Sequence, residues 1–139
     1  MKNLSWTSLS LPLAGTLAAV LLAGCATLGA ATPERQVRER ATAFWNARLK
    51  ADPQTAYSLL TPAYRSLRSE KEFVQSNNSG VSAQKVEVGD VTCEEEKCTV
   101  RIGITAKPSI PGLTLPVITN YLDDIWLKDQ GQWWRYVAP

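Results

Sequence analysis

The chain has 139 residues, 45% hydrophobic and 20% charged, with a formal net charge of +2 and no histidine. A balance so near neutrality leaves no strong field to gather nucleic acid, so no nucleic-acid partner is expected. The lack of histidine removes the commonest general base and metal ligand, and with them every Ser-His-Asp or Cys-His arrangement.

The first 24 residues have the form of a secretory signal. Lys2 is their only charge, and residues 11–23 are an uncharged run of 13 rich in Leu and Ala. That length suits the apolar centre of a signal peptide and falls short of the roughly 20 residues a spanning helix needs. The run closes on Leu22-Ala23-Gly24-Cys25, which resembles the lipobox of bacterial lipoproteins. The resemblance implies cleavage between Gly24 and Cys25. It also implies a diacylglycerol thioether on the Cys25 sulfur and an N-acyl chain, such as palmitate, on its amine. Such a cut leaves 115 residues (139 − 24). Each buried CH₂ adds about 0.8 kcal/mol, so two or more chains anchor stably where one is marginal. Ala26 follows the cysteine where Asp would favour the inner membrane, which points to the outer membrane and a periplasm-facing domain. Beyond these covalent lipids no cofactor is expected.

Residues 25–32 read as a lipidated tether and 33–139 as a single domain. Thr32-Pro33-Glu34 combines an N-cap, a proline at the first helical position and an acid in the first turn. The helix that follows should carry Val37, Ala41, Phe44, Trp45 and Leu49 on one stripe and end near Lys50. Asp52-Pro53 and Thr61-Pro62 repeat the signal for two shorter helical segments. Ser69-Glu70-Lys71-Glu72 is a capping box for a fourth, stopped by Asn77-Asn78-Ser79-Gly80.

From Val81 the period changes to two. Val86 and Val88 alternate with polar residues, and Gly89 is placed to bulge the strand and shift the alternation to Val91 and Cys93. Glu94 to Lys97 forms a charged four-residue loop, after which Cys98, Val100, Ile102, Ile104 and Ala106 share a face. Cys93 and Cys98 thus oppose each other at the mouth of a hairpin. With Cys25 lipidated they are an even pair in an oxidising compartment, and the pattern predicts a structural disulfide worth roughly 2 kcal/mol. A metal or redox pair is the alternative, but the spacing is not C-x-x-C and no further ligands appear, so no metal is expected. Residues 107–116 hold three prolines and read as a long loop. Val117 to Leu127 and Trp133 to Val137 are the last strands, joined by a turn at Asp129 to Gln132.

Helices followed by four antiparallel strands predict an α+β fold with helices on one face of a curved sheet. Residues 41–52, Tyr57-Ser58-Leu59-Leu60-Thr61-Pro62, Ser69 to Val74 and the Trp126 to Trp134 segment resemble the nuclear transport factor two-like superfamily, the cystatin-like cone. The resemblance implies a sheet wrapped round the first helix. It further implies a cone used as an enzyme pocket, a small-molecule site or a filled core, and a homodimer through the open sheet face.

Three functions follow from these residues. An enzyme would draw its base from Asp123 or Asp124, with Tyr57, Tyr64 or Tyr121 beside it. Strand parity puts Tyr121 and Asp123 on one face and Asp124 and Trp126 on the other. A binding module would line an aromatic pocket with Trp45, Tyr57, Tyr64, Tyr121, Asp123, Trp134 and Tyr136. An interaction module would hold an envelope protein near the membrane through the stiff 108–116 loop. With no catalytic constellation legible, the non-catalytic interaction module is the favoured expectation. Trp133 and Trp134 fall on opposite faces, so one belongs to the core and the other near the surface.

Overall fold

Proline preceded by a capping side chain opens three helices in succession. The computed structural model describes residues 31–77, 83–110 and 112–138. The signal segment, Cys25 and residues 78–80, expected to stop the fourth helix, lie outside them. Helix α1 runs Pro33–Leu49, α2 Pro53–Ser58 and α3 Pro62–Leu67. Thr32, Asp52 and Thr61 each accept a hydrogen bond from the amide three residues on, at 3.3, 3.1 and 3.3 Å. Helix α4, Glu70–Asn77, begins with the capping box: the Glu72 amide donates to Ser69 Oγ, and the Ser69 amide donates to Glu72 Oε2 at 2.7 Å. Those bonds hold the Asp52 and Glu72 carboxyls below the usual carboxylate range, chiefly through Thr55 and Ser69 respectively.

The buried stripe of α1 is Val37, Ala41, Phe44 and Ala47, with Trp45 packed at its margin. Leu49, expected on that stripe, is 38% exposed. At about 100° per residue it sits roughly 120° round the axis from Val37, beyond the apolar face. The helix ends in a paired cap: Asp52 N–H donates to Ala47 O and Ala51 N–H to Arg48 O. Ala51 occupies the left-handed position, φ 53°, where glycine is usual.

Four strands, β1 Ala83–Glu94, β2 Lys97–Ala106, β5 Ile118–Asp129 and β6 Gln132–Arg135, form one antiparallel sheet in the order β1-β2-β5-β6. Between Val88 and Val91 the register shifts, so Gly89 does stand in a bulge. The Arg38 guanidinium donates to Val88 and Gly89 carbonyls there, at 3.2 and 2.6 Å, fastening α1 to the bulge. The loop expected over residues 94–97 is tighter: Glu94 pairs with Lys97, and only Glu95 and Glu96 turn. Cys93 and Cys98 are bonded as a disulfide across that hairpin. Within 107–116, β3 Ser109–Ile110 and β4 Leu113–Thr114 pair in a separate two-stranded sheet. Gln130 and Gly131, φ 51° and 78°, turn β5 into β6; two positive φ values suit the right-handed twist of a two-residue hairpin.

The inner face of the sheet meets α1, α2 and α4 in one core of Val37, Phe44, Leu60, Phe73, Ile102, Trp126 and Trp133. Each large aromatic buried there withdraws about 150–250 Å², a gross gain of roughly 4–6 kcal/mol before entropy. Surface pairs such as Arg35–Glu39 contribute a fraction of that.

Replacing Ala51 with glycine should raise stability by about 0.5–1 kcal/mol, because the left-handed position then lacks a Cβ penalty. Urea denaturation checks this; a loss of stability would show that Ala51 is not held in that conformation.

Candidate functional site

The β5–β6 turn determines what the inner face can display. It sets Trp126 opposite Arg135, so Asp124, two residues before Trp126, shares Arg135's side of the sheet. Asp124 is 2% exposed and Arg135 17% by side chain. The guanidinium grips the carboxylate with both arms: Nε donates to Oδ2 at 2.9 Å and Nη2 to Oδ1 at 2.6 Å. From α1, Trp45 Nε1 donates to the same Oδ2 at 2.8 Å. The Arg135 guanidinium lies 4.5 Å from the Phe44 ring centre and 5.6 Å from that of Trp45. Nearby, burial pushes the Arg48 guanidinium below its ordinary value, and the charge of Arg135 adds to the effect.

Arg135 is also a backbone junction. Its N–H donates to Leu59 O at 2.9 Å, and its carbonyl accepts from Thr61 N–H at 3.1 Å. One residue therefore ties β6 to the α2–α3 connection and, through Asp124 and Trp45, to β5 and α1.

Other expected pocket residues lie elsewhere. Tyr64 is buried at 7% exposure, edge-on to Phe73. The Tyr57 hydroxyl donates to Arg68 O at 2.6 Å and latches α2 to the end of α3. Tyr121, 62% exposed, and Asp123 are on the outer face with Arg101, whose Nη1 donates to Asp123 Oδ1 at 3.0 Å. A Cβ at Gly103 would approach the Tyr121 ring to 3.1 Å, so the glycine lets that ring lie against the sheet. Trp134 is half-buried with the Arg40 and Arg65 guanidiniums over its ring, and Tyr136 is 43% exposed. Trp133 is the core member of the Trp pair, 2% exposed. Of the seven pocket residues expected, the structure brings only Trp45 to the buried carboxylate, and that carboxylate is Asp124's. Trp126 contributes a further inward feature: its indole nitrogen is buried with no hydrogen-bond partner.

Sequence reasoning missed the role of Arg135, although a signal existed. Counting back from the Gly131 turn pairs Trp126 with Arg135 and puts the latter on Asp124's face. Arg40 lies off the apolar stripe of α1, yet it is half-buried.

No protein-family model and no curated protein matches the sequence. Among solved structures, the chain is similar to a SEC-C motif containing protein from Psychrobacter arcticus. That match has 13% identity and a TM-score of 0.58, over 78% of this chain and 63% of that one. A SEC-C motif containing protein from Rhodopseudomonas palustris matches at 15% identity and TM-score 0.50, over 76% of each chain. An NTF2-like protein from Campylobacter jejuni matches at 12% identity and TM-score 0.49, over 73% of this chain and 98% of that one. What the first two share with this chain is the fold.

Trp45→Phe keeps a ring beside Arg135 but removes the donor to Asp124. A hydrogen bond to a charged group contributes about 1.5–3 kcal/mol, and the urea midpoint should fall accordingly. An unchanged midpoint would mean that the indole N–H contributes nothing to holding Asp124.

Proposed function

We propose that the protein is a non-catalytic binding module of the bacterial envelope. In this reading Cys25 carries the lipid, residues 25–32 are the tether, and a domain resembling the nuclear transport factor two-like cone holds an envelope partner at the outer membrane, facing the periplasm. The observation that carries the non-catalytic part is the commitment of Asp124. Both its oxygens accept from Arg135, and one also accepts from Trp45. A carboxylate enclosed by three N–H donors is an anchor, where a general base would need an oxygen directed at a substrate proton. The β3–β4 ribbon supports the interaction role, since it pairs with neither edge of the main sheet and offers a turn at Gly112, φ 80°.

A ligand within the cone is the second reading, favoured by the Trp126 indole N–H, a buried donor that a bound acceptor would satisfy.

Two measurements test these readings together. Mass spectrometry of the mature N-terminus should find a triacylated Cys25; an unmodified cysteine or another start would end the lipoprotein assignment. Shortening the 108–116 segment should abolish cross-linking to an envelope protein while the thermal transition barely moves. Retained cross-linking, or a carried small molecule seen by native mass spectrometry, would favour the cone ligand instead.

A further inference from the structure

Arg40 on α1 and Arg65 on α3 converge on Trp134 of β6. Each guanidinium carbon lies 4.9 Å from the centre of the Trp134 ring. Arg40 Nη1 donates to Gln132 Oε1 at 3.3 Å, a neutral acceptor. Among the described residues no carboxylate pairs with either arginine, whereas Arg35, Arg101 and Arg135 each have one. The Nε of both is buried without an acceptor. Burial, and then the charge of Arg65, push the Arg40 guanidinium below its ordinary value.

This is an uncompensated arrangement. Two cations are partly withdrawn from water and held near each other, with one aromatic ring and one amide in place of an anion. Cation–π contacts return about 0.5–2 kcal/mol each and leave the net charge in place. Nothing in the core requires the pair, because Trp134 is only half-buried and Trp133 fills the interior. Guanidinium forks match planar or tetrahedral oxyanions, and the indole face offers a wall for the carbon skeleton bearing one.

We propose that Arg40, Arg65 and Trp134 form a binding site for the oxyanion of an acidic group, a phosphate or a carboxylate. The site is independent of whether the domain is catalytic. It takes one anionic group, from a free metabolite or from the headgroup of a larger molecule, with Nη donors of both arginines directed to its oxygens.

The test follows the indole N–H signal of Trp134 by NMR in the full protein held in non-ionic detergent, assigned through Trp134→Phe. Inorganic phosphate, glycerol phosphate and acetate are titrated at constant ionic strength, with chloride as control. At least one of the three should move the Trp134 signal saturably, and chloride should not. Arg65→Gln and Arg40→Gln should each weaken that binding tenfold or more. Two variants are needed in case one fails to fold, and a thermal midpoint near that of the parent qualifies each. Tightest binding of glycerol phosphate assigns a headgroup, of inorganic phosphate a free phosphate, and of acetate a carboxylate. No saturable shift with any of them, the same shift with chloride, or binding undiminished in a folded arginine variant would overturn the proposal.

Discussion

The Asp124–Arg135 pair is the interaction on which the other elements depend. Charges so buried are unfavourable unless each is matched, and here the match is made by atoms from separate parts of the chain. The carboxylate comes from β5, the guanidinium from β6 and the indole N–H from α1. The same Arg135 binds the α2–α3 connection through its backbone. Displacing any of these elements would leave a charge or an amide unsatisfied in the interior. Apolar burial supplies most of the driving force, but it is indifferent to small shifts in register. The ion pair allows one register of β6 against β5 and one seat for α1.

The local architecture was readable because short-range rules govern it. Thr32-Pro33, Asp52-Pro53, Thr61-Pro62 and the Ser69–Glu72 box start helices as caps and prolines dictate. Gly89 bulges β1, and Cys93 meets Cys98 across a hairpin. The boundaries that slipped did so for geometric reasons: Glu94 and Lys97 still pair, so the turn shrinks to two residues, and Leu49 lies too far round α1 to reach the core.

The site was harder to read, because it depends on contacts between residues far apart in sequence. Trp45 and Asp124 are separated by 79 positions, and no local pattern links them. Parity separated Asp123 from Asp124 correctly, and the structure puts Asp124 inside. What parity could not supply was the partner. An aromatic count suggested one pocket, yet Tyr57 latches α2 to the end of α3, Tyr64 packs edge-on to Phe73 of α4, and Tyr121 covers Gly103 on the outer face. Arg40 and Arg65 are apart in sequence and meet only because α1, α3 and β6 converge at Trp134.

The most direct measurement is a double-mutant cycle on the buried pair, using Asp124→Leu, Arg135→Met and the double variant in urea denaturation. Each single change should cost about 3–5 kcal/mol by stranding the opposite charge. The double variant should lose far less than the sum, with a coupling energy of about 1–3 kcal/mol. Strictly additive losses, or single variants as stable as the parent, would show that the pair does not hold these elements together.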